Sequence, residues 1–377
     1  MTPGAAGAAT GAGEPQPAAA ETGWARAFPL RRYLGPDGRL ADAAPAMARD
    51  VAGLIALYRA MVLTRSFDTK AIALQRTGRL GTYASSLGQE AVAVGVASAM
   101  QEDDVLLPSF REHGAQLWRG VSLYELFLYW GGDERGSDFA GPRQDFPVSI
   151  PVASHVPHAV GVALAFKLRG ERRAAVCLLG DGATSKGDFY EAINFAGVWR
   201  LPVLFVINNN QWAVSVPRSA QTAAETLAQK AVAAGIPGEQ VDGNDVIAVR
   251  DAAERALKQT REGGGATLIE AVTYRLGDHT TADDASRYRD DAEVSRHWAE
   301  EPVTRLRQYL SAEGAWSPQD EEQLLAACAA EVEAAAEKYL ATPPAPPEAM
   351  FDHLYATLPS SLASQRSAAM AEEKGDG

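Results

Sequence analysis

The segment from Ala174 to Asn210 constrains the fold of this chain more than any other part of the sequence. It contains two short apolar runs, Ala174–Leu179 and Val203–Ile207, on either side of Ser185–Arg200, where apolar residues recur at helical spacing. Short, uniformly apolar runs are typical of strands buried on both faces, as in parallel sheets. Pro202 ends the helical stretch before the second run. The segment therefore predicts a right-handed strand–helix–strand unit.

The rest of the chain repeats this alternation of helical and strand patterns with short turns between them. Helices are predicted at Asp50–Gln75, Gly88–Met100, His158–Leu168, Thr304–Leu310 and Glu321–Leu340, and further strands at Val105–Leu107 and Thr267–Ala271. Ser185 and Asp188, at the start of the helix in the first unit, resemble a capping box. We therefore predict an α/β fold, a parallel sheet with helices on both faces, followed by a C-terminal helical extension.

Composition along the chain predicts four regions. Residues 1–23 are rich in Ala, Gly and Pro and offer little to bury, so we expect a disordered tail. Residues 24–292 carry the α/β pattern, and residues 293–359 form a helical region that we expect to pack on it. Residues 360–377 resemble the N-terminal segment and are expected to form a flexible tail.

Charge and targeting features exclude several classes of protein. The 377 residues include 35 Lys and Arg against 48 Asp and Glu, a net charge of −13, which disfavours nucleic acid or an anionic membrane as a partner. No apolar run approaches the roughly 18–20 residues of a membrane helix. The first 25 residues lack Lys and Arg, so neither a secretory nor a mitochondrial signal is expected. Two cysteines without metal-ligand spacing indicate reduced thiols. We expect a cytoplasmic enzyme.

Polar residues follow both strands of the Ala174–Asn210 unit. The first strand runs into Gly180-Asp181-Gly182 and the second into Asn208-Asn209-Asn210. Parallel strands deliver these side chains to one edge of the sheet, where ligands of such folds bind. Carboxylate and amide oxygens suit Mg²⁺, while the glycines and the following helix N-terminus suit a diphosphate. Each feature alone is more often a simple turn, but the combination indicates a Mg²⁺–diphosphate site.

This unit also resembles a known family. The stretch GDGATSKGDFYEAINFAGVWRLPVLFVINNNQWAVS is similar to the thiamine diphosphate motif in the α subunits of pyruvate and branched-chain 2-oxo-acid dehydrogenases, and the similarity extends from MVLTRSFD to TRLRQYL. The resemblance implies a thiamine diphosphate-binding fold in which Asp181, Asn210 and the backbone carbonyl of Trp212 coordinate Mg²⁺. Gly182 and Ala183 would contact the diphosphate through their backbones.

Two further positions bear on the phosphate groups. Some relatives place a phosphate-binding Arg where this chain has Asn208, so that contact is not expected here. The segment PSFREHG matches one that carries a Tyr-Arg pair, which implies that Arg111 holds the diphosphate and that Phe110 contributes packing alone. A surface salt bridge is the alternative for Arg111. His113 also follows the family pattern and is taken as a second catalytic candidate.

The segment SIPVASHVPHAVGVALA resembles the strand and helix that meet the two rings of the cofactor. Ile150 and Val152 would then contact the cofactor, with Val152 holding the rings in a bent conformation. Core packing is the alternative for Val152. Branched-chain relatives also bind potassium in this segment, where His155 replaces the usual Gln. The corresponding potassium ligands would be Ser149, Pro151 and Ser154.

The segment GDHTTADDASRYR resembles the loop that bears the active-site histidine of the family, which falls at His279. A histidine there can stabilise a carbanion-type intermediate or donate a proton during transfer to a lipoyl group. Thr280 stands where mitochondrial relatives carry a regulatory phosphorylated Ser, and nothing in the sequence indicates that it is modified. The residues expected to order the loop are Asp283, Asp284, Tyr288 and Arg289.

The resemblance implies decarboxylation of a 2-oxo acid on thiamine diphosphate, with reductive acyl transfer to a lipoyl-bearing acyltransferase core. The carboxylate needed beside the aminopyrimidine ring belongs to a separate β subunit in heterodimeric members, which implies a heterotetramer of two α and two β chains. The segment MVLTRSFDTKAIALQRTGRLGTYASSLGQEA is most similar to bacterial pyruvate dehydrogenase α subunits, which favours pyruvate. Branched-chain 2-oxo acids and acetoin are alternatives. A non-catalytic phosphate-ligand binding protein is the alternative from another class.

Overall fold

A six-stranded parallel sheet forms the centre of the computed structural model, which describes residues 27–352 and 354–373. Its spatial order is β1-β7-β8-β4-β3-β2, and every neighbouring pair is parallel. A separate antiparallel hairpin pairs β5 with β6. The strands are β1 Leu30–Arg31, β2 Val105–Leu107, β3 Ala175–Gly180, β4 Val203–Asn209, β5 Trp212–Ala213, β6 Val216–Pro217, β7 Gly238–Asp242 and β8 Thr267–Val272.

Helices connect the strands and continue beyond the last one. The helices are α1 Val51–Arg76, α2 Glu90–Ser98, α3 His113–Arg119, α4 Leu123–Trp130, α5 His155–Arg169, α6 Gly187–Val198, α7 Arg218–Gln221, α8 Lys230–Ala233, α9 Val246–Gln259, α10 Asp291–Trp298, α11 Pro302–Ala312, α12 Pro318–Leu340, α13 Ala349–Asp352 and α14 Ser360–Glu373. Every helix and strand predicted from the sequence is present, with ends that differ by a few residues. The predicted α/β class is therefore confirmed.

The sheet is covered on both faces, and its central strands β3 and β4 are apolar over most of their length. Side chains alternate between the faces of a strand. In β4, Val203, Phe205 and Ile207 pack with α5 and α6 on one face. Leu204 and Val206 pack with α2 and α9 on the other. This double burial explains why the two strands of the Ala174–Asn210 unit have uninterrupted apolar runs.

The C-terminal helices pack on α1, outside the layer that covers the sheet. Leu54 and Leu57 of α1 share a buried cluster with Leu306 of α11 and with Leu324 and Cys328 of α12. The second half of α1 packs with α4 and with later residues of α12 in a neighbouring cluster. The helical extension is therefore joined to the α/β domain through α1.

Two local predictions differ from the structure. The capping box at Ser185 is wrong, since Asp181–Ser185 forms a short 3-10 turn and α6 begins at Gly187. Lys186 is the extended residue before α6, and Ser185 Oγ instead donates to the carbonyl of Gln221 at 3.4 Å. The tail predicted as flexible contains α14, so the expectation of a segment without regular structure does not hold for residues 360–373. The N-terminal tail, residues 1–23, lies outside the described residues.

The register between β3 and β4 places two loops at one edge of the sheet. Gly180 pairs with Asn208 at the carboxyl ends of these parallel strands. The chain therefore leaves β3 into the turn Asp181–Ser185 and leaves β4 into Asn210 and the β5–β6 hairpin, side by side. In the part of the chain that the structure describes, no helix is long and apolar enough to cross a membrane.

Candidate functional site

A cavity of about 760 Å³ opens at the carboxyl edge of the sheet, between the ends of β3 and β4 and the loop that follows β8. The sequence-predicted site residues converge on it, with the exception of His113. The predicted residues that line it are Phe110, Arg111, Ile150, Val152, Asp181, Gly182, Ala183, Asn210, Trp212 and His279.

Asp181 supplies a buried carboxylate at the end of β3. It is 2% exposed, and one of its oxygens, Oδ2, accepts a hydrogen bond from Gln221 Nε2 at 2.7 Å. Burial raises the pKa of this carboxyl group, although the hydrogen bond from Gln221 opposes the effect. A buried carboxylate whose pKa stays raised despite its hydrogen bonds is stabilised by a bound cation, which favours a metal ligand over a simple turn residue.

Asn210 and Trp212 supply two further oxygen atoms from the loop after β4. Asn210 Nδ2 donates to Gln89 Oε1 at 2.8 Å, so the amide nitrogen is occupied. Asn210 Oδ1 accepts from the backbone N–H of Trp212 at 3.2 Å, which places that oxygen beside the Trp212 backbone. Gln211 between them has φ +73°, a left-handed conformation that reverses the chain sharply.

The two loops approach each other closely enough to exclude a side chain at Gly182. A Cβ atom there would lie 2.7 Å from Ala213 Cβ, so glycine is needed beside Asp181. Asp181, Asn210 and Trp212 all line the cavity, and a carboxylate, an amide oxygen and a backbone carbonyl are a donor set that suits Mg²⁺. Among residues 27–352 and 354–373, no group of three or more His, Cys, Asp or Glu side chains could hold a metal ion. Asp181 and its two neighbouring oxygens are thus the candidate metal ligands.

Arg275 supports the β5–β6 hairpin beneath this set and was not predicted from the sequence. Its Nη2 donates to the carbonyl of Val214 at 2.9 Å and to the hydroxyl of Tyr288 at 2.8 Å. Val214 has φ +55°, a strained conformation for a β-branched residue. The buried guanidinium of Arg275 offsets that strain and adds positive charge to the site. Its place four residues before His279, at the edge of the quoted motif, is the one sequence signal that points to it.

Arg111 and His279 contact each other at the cavity, and Arg275 Nη1 lies 3.4 Å from both His279 Nδ1 and the carbonyl of Trp212. Arg111 is 5% exposed, so it is not the surface salt bridge that the sequence left open. Its Nη1 donates to the carbonyl of Ser85 at 2.6 Å, and its Nη2 donates to His279 Nδ1 at 2.9 Å. Because a guanidinium can only donate, His279 Nδ1 accepts and the imidazole carries its proton on Nε2.

His279 is a neutral imidazole over a wide pH range. Burial, and then the positive charges of Arg111 and Arg275, lower its pKa to about 4. Arg111 itself remains charged, since burial and the charge of Arg275 lower its pKa only to about 10. The site therefore offers one cationic donor and one neutral N–H donor side by side.

The loop that carries His279 is ordered by the residues that the sequence predicted for that role. Asp283 Oδ2 accepts from the backbone N–H of His279 at 2.9 Å and from the hydroxyl of Tyr288. Arg289 donates to the carbonyls of Leu276 and Gly277, at 3.1 and 3.2 Å. Asp284 accepts from the backbone of Ser286 and caps the short turn Ala285–Arg287.

Ile150 and Val152 are apolar side chains that remain half exposed at the cavity, 49% and 46% respectively. Val152 is therefore not a core residue, which was the alternative reading of its sequence. Ala153 behind them is fully buried with φ +67°, and this strained residue directs its neighbours toward the cavity. The exposed apolar surface is suited to contact a ring system or a second chain.

The segment considered for potassium contacts itself in the structure. Ser149 Oγ lies 2.9 Å from Ser154 Oγ, and Ser154 Oγ lies 2.9 Å from the carbonyl of Pro151. His155, which replaces the usual Gln, donates its Nε2–H to the carbonyl of Leu178 at 2.8 Å. Its buried Nδ1 has no hydrogen-bond partner among the described residues.

His113 lies in an aromatic core one layer behind the cavity, so the structure does not bring it to the site. Trp130 Nε1 donates to His113 Nε2 at 3.0 Å, and the rings of Phe67 and Tyr83 surround the imidazole. Burial, and then the charge of Arg111, lower its pKa to about 3. It follows Arg111 in sequence, but it begins α3, whose first turn directs it away from the cavity. The expectation of a catalytic His113 therefore lacks support in the geometry.

Glu112 is the other carboxylate, besides Asp181, among the described residues that line the cavity. Its Oε2 accepts from the backbone N–H of Arg111 at 3.1 Å, so it closes the loop that carries Phe110 and Arg111. Burial raises its pKa to about 7, against the opposing effect of that N–H group. The Glu112 carboxylate is therefore hydrogen-bonded within its own loop and is not a free acid or base.

Several lining residues were given no role from the sequence. Asn208, where no phosphate contact was expected, lies at the cavity, and its buried Oδ1 has no hydrogen-bond partner within the described ranges. Gln89 orients Asn210 from a position 121 residues away in sequence. Other lining residues that the sequence did not single out are Thr82, Ala84, Ser109, Tyr129, Trp130 and Val214.

Comparison with known proteins places this site in a family context. Residues 58–348 match the model of the dehydrogenase E1 component family. A Mycobacterium tuberculosis protein named 3-methyl-2-oxobutanoate dehydrogenase subunit alpha is 46% identical over 270 residues, 72% of this chain and 74% of its own length. A Staphylococcus aureus pyruvate dehydrogenase E1 component subunit alpha is 41% identical over 313 residues, 83% of this chain and 85% of its own. A Staphylococcus epidermidis protein of the same name is 39% identical over 341 residues, 90% and 92%.

The buried His113 predicts a pH dependence of stability. Its folded pKa of about 3 lies below its ordinary value of 6.5. Between these two pH values His113 binds a proton in the unfolded chain but not in the native state. The free energy of unfolding that depends on a neutral His113 is therefore fully present above pH 6.5 and is lost as the pH falls toward 3. His113→Gln should flatten the decline of unfolding free energy below pH 6.5 by up to about 1.4 kcal/mol per pH unit.

Denaturant titrations at several pH values measure this slope. Trp130→Phe is the matched control, since it removes the same hydrogen bond but retains the imidazole. It should lower stability at every pH and keep the slope. Equal slopes in His113→Gln and the unchanged protein would show that His113 is not held neutral.

Proposed function

The chain belongs to the dehydrogenase E1 component family, as an α subunit of a 2-oxo-acid dehydrogenase, and we propose that it binds thiamine diphosphate with Mg²⁺ and decarboxylates a 2-oxo acid. The presence of Asp181, Asn210, Trp212, Arg111 and His279 around one cavity supports this proposal. The cofactor supplies an electron sink for the loss of CO₂. The residues of the chain would bind and orient the cofactor, and His279 would hold a proton at Nε2.

The charges around the cavity suit a diphosphate with its metal ion. Arg111 and Arg275 bring two buried guanidinium groups to a chain whose net charge is −13. Gly182 and Ala183, in the turn after β3, also line the cavity. Backbone and guanidinium donors of this kind bind phosphate oxygens. Asp181 and its partner oxygens would then complete the charge balance through Mg²⁺.

His279 would act as a neutral hydrogen-bond donor. Its Nδ1 is occupied by Arg111, so the Nε2–H group is the one that can meet a phosphate or substrate oxygen. A neutral N–H group beside two cations can donate a hydrogen bond to an atom on which negative charge develops, and its own protonation state does not change. The loop bonds to Asp283 hold the imidazole in this orientation.

Two observations bear on the identity of the substrate, and they favour different 2-oxo acids. The segment Met61–Ala91 resembles bacterial pyruvate dehydrogenase α subunits, and pyruvate dehydrogenase relatives cover 83–90% of this chain. The 46% identical relative is named for 3-methyl-2-oxobutanoate, a branched-chain 2-oxo acid. We propose pyruvate as the first substrate to test and a branched-chain acid as the second. Acetoin, which the same scaffold serves in other relatives, is the third.

A β subunit would complete the active site. Within the described residues, Asp181 and Glu112 are the carboxylates at the cavity, and both are committed to other roles. The acid beside the aminopyrimidine ring would therefore come from another chain. We propose a heterotetramer of two α and two β chains that delivers acyl groups to a lipoyl-bearing acyltransferase core.

The exposed apolar surface of α5 and α6 supports such a partner. Leu168 at the end of α5 is 75% exposed, and Gly161 on the same helix has open space where a Cβ would lie. On α6 and the residue after it, Phe195 and Trp199 stack at 5.3 Å on the surface beside exposed Val198. Small and apolar residues on one helix pair permit close packing of another chain. The small-residue helix α2, in contrast, is buried inside the chain.

Asp181→Asn should abolish metal-dependent cofactor binding. The amide keeps the shape of the side chain but removes the charge that Mg²⁺ requires, so the affinity for thiamine diphosphate at saturating Mg²⁺ should fall by about a hundredfold or more. Calorimetric titration measures it. Asp188→Asn is the matched control, since Asp188 lies on the same segment, is half exposed and pairs with Lys186. Unchanged affinity in Asp181→Asn would contradict the metal assignment.

Leu168→Arg should weaken assembly with the β chain and leave the isolated chain folded. A charge on a surface that becomes buried costs several kcal/mol of association free energy, about a hundredfold or more in affinity. Leu325→Arg is the control, because Leu325 is also exposed but lies on α12, away from α5. Sedimentation of mixed chains measures assembly. Equal assembly of both variants would remove α5 from the interface.

Turnover by the assembled chains tests the proposed function itself. The chain is purified with its β subunit and assayed with pyruvate, with branched-chain 2-oxo acids and with acetoin, using an artificial electron acceptor. Decarboxylation of a 2-oxo acid that depends on thiamine diphosphate and Mg²⁺ is the expected result. Cofactor binding without turnover on any of the three would favour the non-catalytic phosphate-ligand binding protein.

A further inference from the structure

Asp68 is a buried carboxylate on α1 that lies outside the cavity. It is 2% exposed, and its Oδ1 accepts a hydrogen bond from the hydroxyl of Tyr83. Its Oδ2 accepts from Ser85 Oγ at 2.7 Å and from the N–H and Oγ of Ser86 at 2.8 and 3.0 Å. Burying a carboxylate is costly unless donors satisfy it. Four donors from one short turn make Asp68 the anchor of residues 83–86.

The anchored turn holds the guanidinium of Arg111. The carbonyl of Ser85, whose hydroxyl is bonded to Asp68, accepts from Arg111 Nη1 at 2.6 Å. The other terminal nitrogen of Arg111 meets His279 Nδ1. A third bond runs from Arg111 Nη2 to the carbonyl of His279 at 2.5 Å. Because these bonds fix the guanidinium plane, a shift of the Ser85 carbonyl would change where the remaining Arg111 donors point.

The same turn also holds the loop that carries His279. The backbone N–H of Tyr83 donates to Thr281 Oγ1 at 3.0 Å, and the N–H of Thr281 donates to the carbonyl of Tyr83 at 2.9 Å. Thr281 lies two residues after His279, so this pair fixes the loop close to the imidazole. A single turn thus positions two side chains that arrive from α3 and from the loop after β8.

We propose that Asp68 is a positioning residue, which fixes the turn Tyr83–Ser86 and through it sets Arg111 and the His279 loop in the geometry that receives the diphosphate. The proposal rests on the proposed function for the identity of the ligand. Its structural part, the control of the loop by Asp68, does not depend on the ligand. Residues 83–86 are hydrogen-bonded to Asp68, and the backbone of the same residues is hydrogen-bonded to Arg111 and to Thr281 in the His279 loop. A change at Asp68 therefore affects both Arg111 and the loop.

The test compares Asp68→Asn with Tyr58→Phe in the assembled α–β protein. Asparagine keeps the shape of Asp68 but replaces one acceptor oxygen with a donor, which opposes the hydroxyl and N–H donors around it. Tyr58→Phe is the matched control, since it also removes a buried hydrogen bond from α1, to Glu321 at 2.8 Å, far along the helix from the cavity. Both variants should lower the thermal midpoint.

Hydrogen exchange of residues 279–283 without cofactor is the first readout, and the dissociation constant of thiamine diphosphate is the second. In Asp68→Asn, exchange in the loop should accelerate by about tenfold or more, and the dissociation constant should rise by a similar factor. In Tyr58→Phe, neither should change. A lower thermal midpoint in Asp68→Asn with loop exchange and affinity as in Tyr58→Phe would overturn the proposal, because Asp68 would then act on stability alone.

A milder variant covers the case in which Asp68→Asn does not fold. Ser86→Ala removes one of the four donors and keeps the charge, and it should shift loop exchange and affinity in the same direction by a smaller factor. Thr281→Val removes one of the two bonds that anchor the loop, the one accepted by Thr281 Oγ1, so it should accelerate loop exchange and leave the Ser85–Arg111 bond intact. If loop exchange responds as expected but the unchanged protein binds no thiamine diphosphate, the proposed function fails and the positioning role stands. No response of the loop to Ser86→Ala would contradict the positioning role.

Discussion

The site depends on the parallel pairing of β3 with β4. The register that aligns Gly180 with Asn208 brings Asp181 and the residues after β4 to one edge of the sheet. Apolar side chains on both faces of β4 enforce this register, since a slip by one residue would exchange the two buried faces. Hydrophobic packing of the strands that precede Asp181 and Asn210 thus places these candidate metal ligands.

The edge of the sheet brings buried groups of opposite charge close together. Arg111 and Arg275 are buried cations, and each donates to carbonyl oxygens instead of to a bonded carboxylate. Their combined field and burial hold His279 neutral. Asp181 opposes them from the end of β3, with an amide as its hydrogen-bond donor. A diphosphate with Mg²⁺ would satisfy both sets, and this complementarity connects the electrostatics to the function of the family.

Much of this arrangement was accessible from the sequence because it follows from local patterns. Apolar runs predicted the strands, and the turn residues that follow them predicted the acid and amide at one edge. Arg275 and Gln89 were missed because their contacts join residues distant in sequence, which no local pattern records. His113 was misplaced because adjacency to Arg111 does not reveal which way the first turn of α3 faces. The helix cap at Ser185 failed because a 3-10 turn already includes that residue.

The central claim is that Asp181, Asn210 and the Trp212 carbonyl hold a metal–diphosphate group in the cavity that Arg111 and His279 also line. A structure of the assembled α and β chains, determined with thiamine diphosphate and Mg²⁺, measures this directly. The account predicts metal density bonded to those three oxygens and diphosphate oxygens within hydrogen-bond distance of Arg111 and His279 Nε2. A diphosphate bound elsewhere, or a metal ion that touches none of the three oxygens, would contradict it.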